Sequence, residues 1–64
     1  MQVWQSVKAK PSHPRGGDET GAGAQAGKVT AIDPAHPDQV VVEWDVDGVN
    51  ETTAIADLTA LSHI

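Results

Sequence analysis

The chain is expected to fold as one all-β domain, a small five-stranded barrel with one short 3-10 turn before its last strand. Three observations lead there. Apolar and polar residues alternate in short runs, the period of a strand with one face buried, and no long run keeps helical spacing. Two of these runs meet at Asp47-Gly48, the pairing of residues that most favours a tight β-hairpin. Glycine and proline gather between the runs rather than inside them. A length of 64 residues with 39% apolar content permits a single domain, residues 1–64, with a small core.

Taken in order, residues 2–9 read as the first strand, with Val3, Val7 and Ala9 on one face and Trp4, Ser6 and Lys8 on the other. Trp4 is out of place on that polar face. The expectation is that it packs beneath the loop that follows, and the other reading is an exposed binding platform. Residues 11–26 hold four of the six glycines and two of the four prolines. They carry no apolar side chain larger than alanine, so they read as a long flexible loop without an anchor of its own. Gly27–Asp33 is a second strand. Its Val29 and Ile32 stand three apart, which breaks strict alternation and predicts a bulge.

The run from Gln39 to Ile55 is the main hairpin, with Val40, Val42, Trp44 and Val46 on the buried face. Two registers are open. A two-residue turn pairs Val46 with Val49 and Val40 with Ile55, and is favoured. A glycine-bulged turn sets Glu43 against Glu51, a like-charge pair. Ala56–Leu58 suits one 3-10 turn, after which residues 59–63 return as a short strand beside the first. The larger core candidates are Val3, Val7, Val29, Ile32, Val40, Val42, Trp44, Val46, Ile55, Leu58 and Leu61.

This order resembles the SH3-like small barrels. Within that group Gly27-Lys28-Val29-Thr30-Ala31-Ile32-Asp33 is similar to the Gly-x-Val-x-x-Ile segment of KOW-type modules, and Val40–Trp44 with Asp47-Gly48 is similar to the hairpin that follows it. Ala56-Asp57-Leu58-Thr59-Ala60-Leu61 resembles the Asp-Leu-x-x-Leu ending of several small barrels. The resemblance implies a binding module, and KOW-type domains contact RNA or protein. The chain departs from them in charge, because its loops carry Asp33, Asp38, Asp45 and Asp47.

Composition narrows the function. Nine acids against four bases give a net charge of −5, the opposite of the basic excess of a phosphate-binding surface. With two Trp and no Tyr or Phe, the aromatic groove that reads proline-rich peptides cannot be built in the usual way. The absence of cysteine removes disulfides and thiolate metal ligands. Residues 1–6 lack the basic and apolar regions of a signal peptide, and no run reaches membrane-spanning length, so a soluble cytoplasmic protein is expected.

Candidate chemistry is sparse. His13, His36 and His63 fall in loops or at the end and read as solvated side chains, with no spacing that enforces a metal site. Asp45-Val46-Asp47-Gly48-Val49-Asn50-Glu51 lacks the remaining ligands of a calcium loop and reads as a charged tip that blocks aggregation. Gly21–Lys28 fails the P-loop pattern at Ala22 and Val29. No catalytic set emerges, and no cofactor is expected. The sequence therefore points to a non-enzymatic interaction module with an unidentified protein partner. Its expected binding surface lies between the 11–26 loop and the hairpin tip, using Trp4, Arg15, Glu43, Asp45, Asp47 and Glu51. The alternatives are a KOW-like RNA- or DNA-binding module using Lys8, Lys10, Arg15 and Lys28, or a structural subunit that lends its edge strands to a larger assembly.

Overall fold

A computed structural model describes residues 1–61. It contains β1 (Ser6–Ala9), β2 (Ala26–Ile32), β3 (Gln39–Trp44), β4 (Asn50–Ala54), a 3-10 turn (Ile55–Asp57) and β5 (Leu58–Ala60). The all-β class and the 3-10 turn before the last strand are as the sequence implied. All pairings are antiparallel, in the order β4-β3-β2-β1-β5. Among the described residues no ladder joins β4 to β5, so the sheet is not closed into a hydrogen-bonded barrel. Instead the 3-10 turn carries the chain from one edge to the other. It is held at its start by Ile55 N–H to Asp38 C=O (2.9 Å) and at its end by Lys10 N–H to Asp57 C=O (2.8 Å).

β5 returns beside β1, with Val7 opposite Ala60 and Ala9 opposite Leu58. The expected extension of that strand to His63 lies outside the described residues. The bulge falls where the spacing of Val29 and Ile32 required it: Val29 pairs with Val42, but Ala31 pairs with Val41. Thr30 is the extra residue, and its Oγ1 lies 3.4 Å from the Val41 carbonyl. The kink lets β2 serve β1 at one end and run along β3 at the other.

The core consists of Val7, Ala9, Val29, Val40, Val42, Trp44 and Leu58, with Ile55 packed against it and Thr53 as its buried polar member. Four expected core residues lie outside it. Val3 is exposed because β1 starts only at Ser6: Trp4 adopts a φ of 70°, and Gln5 N–H bonds back to Gln2 C=O (3.0 Å), breaking the strand the alternation had suggested. Ile32 and Leu61 sit at strand ends, both more than a third exposed.

Val46 is out because the hairpin adopts neither expected register. Val40 pairs with Thr53 and Glu43 with Asn50, a shift of two residues from the favoured pairing. The turn is therefore the four residues Asp45–Gly48, with Gly48 at φ 71° donating its N–H to Trp44 C=O (2.7 Å). Asp47 Oδ1 takes the Val49 N–H (3.1 Å), which closes the turn from the other side. A shift of two preserves facing, so Glu51, Thr53 and Ile55 stay on the core side and Glu43 avoids Glu51.

At Gly27 the backbone of β2 comes close to β3. A Cβ there would stand 2.5 Å from Glu43 O and 2.8 Å from Val42 Cγ1. Gly27→Ala should destabilise the fold by about 1–3 kcal/mol through overpacking. Trp44→Ala should cost about 3–5 kcal/mol through the cavity it leaves. Urea denaturation measures both, and a midpoint unmoved by Trp44→Ala contradicts this core.

Candidate functional site

Two places on the molecule hold chemistry beyond packing. The first is built over Trp44. β3 turns this side chain to the core, where it is fully buried, and its indole N–H reaches Glu51 Oε1 on β4 at 3.2 Å. The same carboxylate oxygen lies 3.4 Å from Thr53 Oγ1 and 3.0 Å from His13 Nε2. The His13 ring is tilted 40° against the indole, with centroids 5.3 Å apart. Its Nδ1 accepts the Arg15 backbone N–H at 3.0 Å, so Nε2 carries the proton and donates it to Glu51. Arg15 then lays its guanidinium over the indole, with Cζ 5.3 Å from the ring centroid. Its two ends bond Gln25 Oε1 (2.6 Å) and Asp47 Oδ2 (3.1 Å).

The reading of His13 as a solvated histidine is thus corrected: its side chain is only 9% exposed. The same contacts correct the expectation that residues 11–26 have no anchor. An aromatic ring and a cation do the anchoring that alanines cannot. Backbone bonds complete it, with Gln25 N–H to Arg15 C=O (2.9 Å) closing the base and Gly16 packed against the Lys10 carbonyl. Ser12 Oγ donates to Asp57 Oδ1 (2.7 Å), tying the loop to the 3-10 turn. At its far end Asp18 Oδ1 accepts the Thr20 hydroxyl (2.6 Å) and the Thr20 and Ala22 N–H groups.

The side chains singled out from sequence therefore separate. Arg15, Asp47 and Glu51 come together, but around Trp44, where Arg15 bonds Asp47 and Glu51 bonds the indole and His13 between loop and hairpin tip. Asp45 is exposed on the tip, and Glu43 is exposed on the outer face opposite Lys28. Trp4 stands at the other end of β1, away from the loop. His13, Gln25 and Trp44 were missed as members of the cluster. No period in the sequence joins them, because His13 and Arg15 lie in successive turns, with Gly16 N–H bonding His13 C=O at 2.8 Å, rather than in a strand. Both His13 ring nitrogens are engaged, so the cluster straps the loop down and holds no free acid–base pair.

The second place is Trp4 itself. It is 62% exposed, which corrects the expectation that it packs beneath the loop. A left-handed φ is a strained conformation for a bulky residue. Here it is imposed by Trp4 N–H to Val29 C=O (2.6 Å) and the Gln2–Gln5 turn. Leu61 is brought beside this segment by Leu61 N–H to Ser6 C=O and Gln5 Nε2 to Leu61 C=O, both 2.9 Å. Met1, Val3 and Leu61 are exposed together with Trp4.

Elsewhere, a shallow open groove of about 180 Å3 on the outer face is lined by Ala31, Ile32, Val41 and Thr52 among others. Among the described residues no group of three or more His, Asp or Glu side chains is placed to hold a metal ion, and no helix is long and apolar enough to cross a membrane. No family model, curated protein or solved structure matches the chain.

The strap carries a pH signature. The Val49 N–H, followed by the Arg15 guanidinium, holds the Asp47 carboxyl below its ordinary value of 3.8, and bonds from Thr20 and Ala22 do the same for Asp18. A depressed folded-state pKa gives stability that is complete above the unfolded value and lost as pH falls through the lowered one. Melting temperature should therefore fall on acidification below about pH 4, and less steeply in Asp47→Asn. An identical acid slope in the variant contradicts a carboxyl held down at Asp47 by the Val49 N–H and Arg15.

Proposed function

We propose that this chain is a small non-enzymatic binding module of SH3-like architecture whose partner is a protein, engaged through the surface around Trp4. The strand order, with the last strand beside the first and a 3-10 turn leading into it, supports the SH3-like reading and is compatible with the KOW-like one. The observation that carries the function is Trp4: a strained backbone holds a large aromatic in solvent, in a segment where Met1 and Val3 are also exposed and whose Gln5 bonds exposed Leu61. Indole is among the commonest energetic anchors of protein interfaces, and exposure without a partner wastes it. Arg15, Asp47 and Glu51 serve this module as the strap that keeps its other end closed.

A nucleic-acid reading has one observation in its favour. Lys8 and Lys28 are both exposed on neighbouring strands β1 and β2. Against it, Glu43 faces Lys28 across the ladder, Arg15 is engaged by Asp47, and the net charge is −5. A salt titration with mixed RNA separates the readings, since phosphate contacts weaken steeply as ionic strength rises.

The test is affinity capture from the native host with wild-type protein and Trp4→Ala. The variant should keep its melting temperature within about 2 °C, because an exposed side chain contributes little to stability. A protein retained by wild type and lost by Trp4→Ala is the expected result. Equal recovery of the same proteins by both overturns the Trp4 surface, and salt-sensitive capture of RNA alone overturns the protein-binding reading.

A further inference from the structure

The sheet has two edges, β4 and β5. β5 is only three residues long, which limits what it can pair with. β4 is different. The bonds Trp44 N–H to Val49 C=O and Ile55 N–H to Asp38 C=O set the alternation of this ladder. Glu51 and Thr53 turn their backbone groups toward β3, as do the Val49 C=O and the Ile55 N–H, so Asn50, Thr52 and Ala54 turn theirs away. All three residues are exposed, and among the described residues none of their backbone groups bonds anything beyond the ladder. Natural edges are usually guarded by lysine, proline, a bulge or an inward charge. Asn50-Glu51-Thr52-Thr53-Ala54 has no lysine and no proline, its ladder has no bulge, and the carboxylate of Glu51 is occupied by Trp44 and His13.

The geometry points to a second copy of this chain as the occupant of that edge, paired β4 to β4 across a two-fold axis at Thr52. This register matches the free groups. Thr52 meets Thr52 of the second copy, and Asn50 meets its Ala54, so every outward N–H faces an outward C=O. No like charges oppose each other, because Glu51 falls opposite the second copy's Thr53. The β-branched Thr52 pair is a favourable cross-strand neighbour. Thr52 also lines the outer groove with Val41 and Ala31, so pairing would carry that apolar strip across the axis into the second copy. The register satisfies the outward backbone groups of both copies and leaves Glu51 and its counterpart only diagonal to each other, a repulsion that salt would screen.

The whole molecules still repel, each carrying −5. Screening that repulsion should tighten the pair, so the dimer should strengthen with salt, the reverse of an ion-paired interface. Sedimentation velocity over a concentration series up to about 1 mM, at about 0.02 M and about 0.5 M salt, reads this directly. A reversible dimer whose dissociation constant falls at high salt is expected. Thr52→Lys places a like charge on each side of the axis and should weaken dimerisation by about tenfold or more. Thr52→Pro removes only an outward N–H and should act likewise. Circular dichroism checks that both variants fold, and the lysine variant carries the test if the proline one does not. A monomer at the highest concentration and salt overturns the proposal. So does a dimer that Thr52→Lys leaves intact, or one that Trp4→Ala abolishes, which would place the contact on the Trp4 surface.

Discussion

The burial of one indole sets the terms for most of this structure. Among the described residues Trp44 is the largest fully buried side chain, followed by Val7, Val29 and Val42. An indole N–H in that position must have an acceptor, since an unpaired buried donor costs about 1–3 kcal/mol. Glu51 supplies it, and a carboxylate brought there needs further donors. Thr53 and His13 meet that need. His13 brings Arg15, and Arg15 reaches Asp47 on the hairpin tip. Each link follows from the polarity of the one before it, and together they convert a sixteen-residue segment of glycines and alanines into a strap over the core's largest side chain.

This chain of dependence also explains which parts of the fold could be read from the sequence. β2, its bulge, the buried face Val40-Val42-Trp44 and the 3-10 turn followed from local pattern, because period and turn chemistry are carried by neighbouring residues. The hairpin register depends on more than the hairpin. Asp47-Gly48 alone favours a two-residue turn, but the four-residue turn lets Asp47 cap Val49 and meet Arg15, thirty-two positions away in the chain. The start of β1 was lost for a similar reason: Val3 and Val7 fit one face, yet the backbone reverses at Trp4.

The acidic character of the chain also changes meaning. Read as composition, nine acids advertise solubility and disfavour phosphate. In the fold, Glu51, Asp47, Asp57 and Asp18 are internal acceptors for an indole, a guanidinium, a hydroxyl and a turn. Much of the negative charge is therefore part of the structure's own bonding. Glu43 and Asp45 are what remains of the expected acidic surface near the hairpin, and they are spread rather than gathered.

The two tryptophans end in opposite surroundings, one sealed beneath a histidine and an arginine, the other standing in water on a reversed backbone. Since the chain has no tyrosine or phenylalanine, its near-ultraviolet absorption and emission come from these two rings alone. The molecule consequently carries two built-in optical reporters in opposite surroundings. The sealed ring should emit further to the blue and follow the integrity of the strap, and the exposed ring should emit further to the red and follow whatever approaches it. Selective excitation at the red edge would let folding and contact be watched separately in the unmodified protein.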